Sequence, residues 1–299
     1  MNGWKVNDWS RDGGNEKGPE WVRKAGSGQP VWGNRAGVPF LHFASLDACG
    51  LVKHGFTTRL GGVSTGDLSS MNLGFSRGDD RERVLENYRR IGKALEMPVS
   101  RMVLSQQTHT THVRIVTEED AGSGITRPLP YTDVDGLVTN VCDLPLVTFY
   151  ADCVPLFFVD PVKKAIGLSH SGWRGTVNRM GAETVRVMRE TYGSRPEDLI
   201  VCIGPSICRD CYEVGDEVAA AFRRSFGSAA DERLLQKKVN GKYQLDLWEA
   251  NRLIFLEAGI RQEHLTVTDI CTCCNPGLLF SHRASKGKRG NLAAFLCLK

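Results

Sequence analysis

Residues Tyr150–Gly175 read YADCVPLFFVDPVKKAIGLSHSGWRG, and the fold can be read outward from them. Two apolar, β-rich runs, Val154–Val159 and Ala165–Leu168, are joined by a turn-like Asp160-Pro161 segment. This pattern predicts two short buried strands that turn back on each other. Cys153 enters the first run and His170 leaves the second, so a hairpin brings two soft-metal ligands to one end although 17 positions separate them. Gly172-Trp173-Arg174-Gly175 then offers flexible backbone, a flat aromatic and a fixed cation suited to phosphate or carboxylate. The stretch reads as a pocket wall.

Upstream, Val38–Phe43 alternates as a strand, and a second strand at Leu51–Thr57 leads into Arg59-Leu60-Gly61-Gly62-Val63-Ser64. A double glycine after a strand marks a tight loop. Its arginine is either a solvated loop residue or an anion ligand. Val84, Tyr88, Ile91 and Leu95 recur at helical spacing over Asp79–Leu95, with Asp79 or Asp80 as cap and Asn87 beside the apolar stripe. Met102–Ser105 is strand-like and runs into Gln106-Gln107-Thr108-His109-Thr110-Thr111-His112. On a strand, His109 and His112 would face opposite sides, so at most one joins a given site. A turn at Asp133-Val134-Asp135-Gly136 precedes strands at Leu137–Thr139 and Leu144–Tyr150.

Downstream, helices are expected at Gly181–Tyr192, Glu213–Phe226 and Leu247–Leu256, and strands at Leu199–Ile203, Gln244–Leu247, Thr266–Asp269 and Leu292–Leu298. Strands and helices mix without a regular βαβ rhythm or repeat. This predicts an α+β fold, with mixed β-sheets flanked by helices in a single large domain over residues 36–299. Residues 1–35, rich in glycine and charge with Trp4, Trp9, Trp21 and Trp32, read as an N-terminal extension or a strand-bearing arm.

At 299 residues the chain can bury a sizeable core, and 41% hydrophobic with 24% charged residues is the balance of a soluble globular protein. A net charge of +4, evenly spread, argues against nucleic acid. No apolar run approaches the ~18 residues that span a bilayer, and no secretory leader is visible, so a cytoplasmic protein is expected. In that setting the ten cysteines are expected as free thiols or metal ligands. Cys142, Cys202 and Cys297 lie in or near apolar runs and read as small buried hydrophobes. Cys208-Arg209-Asp210-Cys211 is a C-x-x-C, and Cys271-Thr272-Cys273-Cys274 supplies more thiols. Two such pairs could build a structural zinc site. The second run reads as lacking the usual spacing, so reduced packing thiols are the expectation for Cys208, Cys211, Cys271, Cys273 and Cys274.

His109, Cys153 and His170 together make a His₂Cys set with no fourth protein ligand, the arrangement of a catalytic zinc that keeps one position open. Spacing alone leaves that set open, since 44 residues separate His109 from Cys153. The ordered segments HGFTTRLGGVS, QQTHTTHV, DVDGLVT, YADCVPLFF, LSHSGWRGT, IGPSI…CYEVGDEV and SHRASKGKRGN closely resemble the YfiH/YlmD/LACC1 family, long labelled "laccase domain" or "polyphenol oxidase". The resemblance covers about residue 38 to the C-terminus. It implies that His109, Cys153 and His170 bind one zinc and that Arg59 lines the same pocket. It also implies purine nucleoside phosphorylase, adenosine deaminase and methylthioadenosine phosphorylase activity, hence adenosine, inosine, methylthioadenosine and phosphate as partners. Two positions depart from the family pattern: Ser171 stands where alanine is common, and Ala284 follows Arg283 where a second arginine is usual.

Those residue types suit that chemistry. Zinc lowers the pKa of a bound water from ~15.7 toward ~7, which suits attack on purine C6 at neutral pH. Phosphorolysis needs cationic donors around phosphate, for which Arg59 and Arg174 are the candidates. Asp135 is the candidate for proton handling, with a plain turn aspartate as the other reading. A copper polyphenol oxidase is disfavoured, because multicopper sites need many histidines and this chain has seven with no His-x-His pair. The remaining alternative from the residues is a cysteine hydrolase with Cys153 and His170 as a dyad. For it the family resemblance implies a metal-dependent or cysteine amide hydrolase editing peptidoglycan precursors.

Overall fold

The structure, a computed structural model, describes residues 18–24 and 26–299. The expected hairpin is its centre. Strands Val154–Asp160 and Ala165–Ser171 pair antiparallel, with Pro155 opposite His170 and Val154 opposite Ser171. Every residue of both strands is buried, which follows from both faces being covered. Phe157 and Val159 join Phe43, Phe56, Tyr150 and Leu168 in one apolar cluster, while Leu156 and Phe158 join Val185, Met188, Phe222 and Phe255 in another. Side chains alternate along a strand, so a continuous apolar run feeds two cores at once.

The hairpin lies in a six-stranded sheet ordered Leu265–Val267, Ile200–Ile203, Val154–Asp160, Ala165–Ser171, Gly136–Thr139, Val113–Ile115. A second six-stranded sheet runs Val31–Arg35, Val38–His42, Val52–Thr57, Leu292–Leu298, Leu146–Tyr150, Val103–Leu104. The shared cluster between them makes a sandwich, with Phe43 and Phe157 in edge contact at 5.5 Å. Burying each such ring contributes about 1.5–3 kcal/mol. Helices cover the outer faces. Arg81–Leu95 lays Val84, Tyr88, Ile91 and Leu95 on Phe40 and Phe295 of the second sheet, its first turn capped by the Asp80 carboxylate, which accepts from Glu82 N and Arg83 N. Helices Met180–Tyr192, Asp216–Phe226 and Leu247–Glu257 cover the hairpin's sheet. The result is a mixed α+β fold, layered α/β/β/α, with a small third sheet of Glu213–Val214, Tyr243–Leu245 and Leu235–Lys237.

Several elements differ from the sequence reading. Gly172-Trp173-Arg174-Gly175 is not loose backbone: Trp173–Val177 is a short helix, and the Thr176 hydroxyl donates to Gly172 O. The helix expected from Glu213 begins at Asp216, because Glu213–Val214 is claimed by strand pairing with Tyr243–Gln244. Cys202 and Cys297 are buried, but Cys142 is exposed in the turn before Leu146–Tyr150. Trp4 and Trp9 lie outside the described residues. The described part of the N-terminal stretch packs on the body: Val31–Arg35 pairs with Val38–His42, Trp21 meets Trp32 at 5.9 Å, and Arg23 bonds Asp269. Among the described residues no helix is long and apolar enough to cross a membrane.

Candidate metal centre and anion-attracting cavity

The chain passes from one sheet of the sandwich to the other at two neighbouring places. Strand Leu146–Tyr150 crosses through Ala151-Asp152-Cys153 into Val154–Asp160. Strand Val103–Leu104 crosses through the His109 loop into Val113–Ile115. His170 comes to the same edge from the end of the hairpin. The ligand atoms of His109, Cys153 and His170 consequently lie within 4.8 Å of one another, with the two imidazole rings 5.0 Å apart and nearly perpendicular. Gly172 follows at the edge of this cluster. A Cβ there would stand 3.1 Å from both Cys153 Sγ and His109 Cδ2, so glycine leaves room for the ligands.

Both crossovers need unusual backbone. His109 has φ +69° and Asp152 has φ +92°, in the left-handed region that non-glycine residues rarely enter. Such conformations persist where surrounding bonds hold them. Asp152 accepts from the Thr272 hydroxyl and from Arg283 N, both at 2.7 Å. The His109 loop is held by Asp135, whose fully buried carboxylate accepts from the backbone N–H of Thr108, His109 and Thr110 at 2.9, 3.2 and 3.1 Å. The same carboxylate contacts His170 Nδ1 at 2.7 Å. That bond sets the ring so that Nε2 faces Cys153, the carboxylate–histidine support expected behind a metal ligand. His112 plays no part in the cluster: its Nδ1 contacts Asp133 O at 2.8 Å.

Charge is coupled across these groups. Burial alone would push the Cys153 thiol up, but the His170 and His109 imidazoles hold it down at about 6. Burial likewise opposes a charged His170, yet Cys153 and Asp135 lift it to about 9. Burial would raise Asp135, and His170 with the loop N–H groups keeps it below the usual carboxylate range. The set is thus poised to present a thiolate between two imidazoles. Its donor chemistry, one thiolate and two ring nitrogens with no fourth ligand among the described residues, fits a borderline divalent metal with an open position.

His109, Cys153 and His170 line a cavity of about 760 Å³, the size of a small-molecule site. Phe75, Phe149 and Tyr150 give it flat apolar walls. Arg77, Arg81, Arg127 and Arg289 line it too, and no described carboxylate does. Arg289 is half-buried beside Arg77, and its Nε is buried without a hydrogen-bond partner. Burial first, then the neighbouring Arg77 charge, lowers its pKa to about 10. Two close cations with a spare donor attract an anion.

Arg59, Arg174 and Asp135 stand elsewhere. Arg59 donates to Ser69 O and Pro276 O at 2.8 Å and lies 4.7 Å over the Phe280 ring, holding its own loop outside the cavity lining. Arg174 is exposed on the short helix, stacked 4.3 Å from Trp173. Asp135 sits behind His170 and does not line the cavity. Sequence reasoning passed over Arg77 and Arg289. Arg289 lies within SHRASKGKRGN, where attention fell on Arg283, whose guanidinium instead binds Cys211 O and Glu213 O.

Fold and site define an α+β protein with a His–Cys–His cluster that could hold a metal ion, opening on a cationic cavity. The chain belongs to the YfiH/YlmD/LACC1 family, whose profile, described as "Multi-copper polyphenol oxidoreductase laccase", matches residues 53–299. Purine nucleoside phosphorylase YlmD of Bacillus subtilis is 39% identical over 246 residues, covering 82% of this chain and 88% of that protein. Adenosine deaminase RL5, from an unknown prokaryotic organism, is 33% identical over 216 residues, 72% of this chain and 82% of that protein. The crystal structure of YlmD from Geobacillus stearothermophilus superposes with a TM-score of 0.83 at 35% identity, covering 91% of this chain and all of that one.

Proposed function

We propose that this protein is a zinc-dependent purine nucleoside phosphorylase that also deaminates adenosine and cleaves methylthioadenosine, with residues 36–299 as its catalytic unit and residues 1–35 as an extension. The observation that carries this reading is one cavity holding two chemistries: a His109–Cys153–His170 centre and a cluster of arginines, with no carboxylate among the described lining residues. The names of its relatives agree with it.

His109, Cys153 and His170 would hold the zinc, which would supply Lewis-acid chemistry when bound. The chain's own residues do the rest. Phe75, Phe149 and Tyr150 offer faces for a purine. Arg77 and Arg289 take the place first given to Arg59 and Arg174, and hold phosphate for attack at C1′ as the base departs. The C1′–N9 bond breaks, a C1′–O bond to phosphate forms, and the purine leaves with the bonding pair and picks up a proton. Asp135 fixes the His170 ring and holds the His109 loop, a positioning role and not direct proton transfer. Laccase-type chemistry finds little support here, since it needs several coppers held mostly by histidines and the chain has seven histidines with no His-x-His pair.

Inosine with varied phosphate tests the assignment. Arg289→Ala should remove a charge-assisted contact of ~1.5–3 kcal/mol, raising the apparent phosphate constant ten- to a hundredfold. Arg59→Ala should leave that constant nearly unchanged. The opposite ranking would return phosphate to Arg59.

A further inference from the structure

Away from the cavity, four more sulfurs converge. Cys208, Cys211, Cys271 and Cys274 place their Sγ atoms within 4.8 Å of one another. Two neighbouring parallel strands, Ile200–Ile203 and Leu265–Val267, pair with Ile203 opposite Val267. The pairing continues past their ends as a bridge between Ser206 and Cys271, so each strand delivers its cysteine turn to the same place. Once Cys273 is set aside, Cys271 and Cys274 have the C-x-x-C spacing of Cys208 and Cys211. Three thiols within four residues had hidden it.

The local bonds resemble a metal knuckle more than casual packing. Cys208 N donates to Cys271 Sγ at 3.2 Å, and the backbone N–H groups of Cys211 and Cys274 are directed at the sulfurs of Cys208 and Cys271. Backbone donors aimed at sulfur stabilise thiolates, the form that binds metal. Cys211 Sγ and Cys274 Sγ are 3.5 Å apart. A tetrahedral zinc with Zn–S of ~2.3 Å sets its sulfurs ~3.8 Å apart, whereas a disulfide needs ~2.05 Å. Cations stand ready for the surplus negative charge of four thiolates: Lys24, paired with Asp210, lies close enough to interact with Cys208 and Cys274, and Arg283 binds Cys211 O.

We infer that Cys208, Cys211, Cys271 and Cys274 bind a second zinc ion, a closed structural site distinct from the His109–Cys153–His170 centre. Four protein ligands leave no open position, so its work is to hold structure. What it holds is specific. Thr272, inside the second knuckle, donates to Asp152 beside Cys153, and Arg283, anchored on Cys211 O, donates its N–H to the same carboxylate. The second ion therefore locks the crossover that presents Cys153.

Native mass spectrometry of the wild-type chain, purified under reducing conditions, should show two zinc ions. Cys211→Ser/Cys274→Ser should retain one, and His109→Ala should also retain one, so loss of either site is told apart from loss of the other. The double variant should also melt at lower temperature than wild type. The inference is overturned if wild-type protein carries a single zinc that survives in the double variant and vanishes in His109→Ala. It is equally overturned if intact wild-type protein shows disulfides among these four cysteines in place of a second metal. Wild-type protein with a single zinc that is lost in His109→Ala, or with these disulfides, overturns the inference without the double variant, so a double variant that fails to fold does not remove the test.

Discussion

Asp135 shows how much one side chain can organise. Sequence leaves it open between proton handling and a plain turn aspartate, because it offers no way to see which direction that turn faces. In the structure it is wholly buried, joining three backbone N–H groups of the His109 loop to His170 Nδ1. Asp135→Asn should thus lower metal affinity about 10- to 100-fold while the cavity stays intact, as measured by competition with a chelator. An unchanged affinity with lost turnover would restore a direct catalytic role. Cys153 makes a second residue-scale prediction. Stripped of metal, its thiol is held at about 6 by His170 and His109. Iodoacetamide should then label it increasingly as pH rises through about 6, and added zinc should protect it. Labelling that zinc does not affect would remove Cys153 from the ligand set. The meeting of Cys153 and His170 was legible because they flank one hairpin. His109 was recoverable only through the family's motif, since its loop conformation (φ +69°) has no sequence signature.

Elements place these residues, and the strongest patterns were the easiest to read. The apolar run Val154–Val159 of strand Val154–Asp160 and the period of Arg81–Leu95 follow from burial on two faces and on one stripe. Short pieces were not readable. Glu213–Val214 continues a helical pattern locally, but pairing with Tyr243–Gln244 overrides it. Asn87 looked like a neighbour of the apolar stripe. It is fully buried, bonding Val63 N, Ser64 Oγ and Asn72 O to secure the Arg59 loop. At this scale the packing of Ala44–Ala48 against the strands gives a pH prediction. His54 accepts from Phe43 N at 2.8 Å, and burial, outweighing the pull of Asp47, depresses its pKa from 6.5 to about 4. The unfolded chain takes up a proton in that interval that the folded chain refuses, so its contribution is present above about pH 6.5 and is lost as pH falls toward 4. The loss is on the order of 3 kcal/mol if the interval is traversed fully. Denaturant midpoints measured from pH 6.5 to 5 should fall in wild type and vary less in His54→Gln. Equal slopes would contradict the role of His54.

Over the whole molecule, the α/β/β/α layering explains why the site sits where it does. Two sheets packed face to face force the chain to cross between them, and the crossings are where buried strands release side chains to a shared edge. Mixed sheets and flanking helices were foreseeable from the irregular order of elements; the sandwich was not, because sheet membership depends on long-range pairing. Leu292–Leu298, at the C-terminal end of the chain, lies between Val52–Thr57 and Leu146–Tyr150 in the middle of its sheet. Arg77 and Arg289 come together for the same reason, from loops more than 200 positions apart. The central claim is that this edge joins a metal centre to a phosphate site for purine nucleosides. The most direct measurement is chromatography of the products formed from adenosine by the zinc-loaded protein, with and without phosphate. The account predicts adenine and ribose 1-phosphate only when phosphate is present, and inosine in its absence. Adenine release indifferent to phosphate, or no reaction at C1′ or C6 by a protein carrying its zinc, would contradict it.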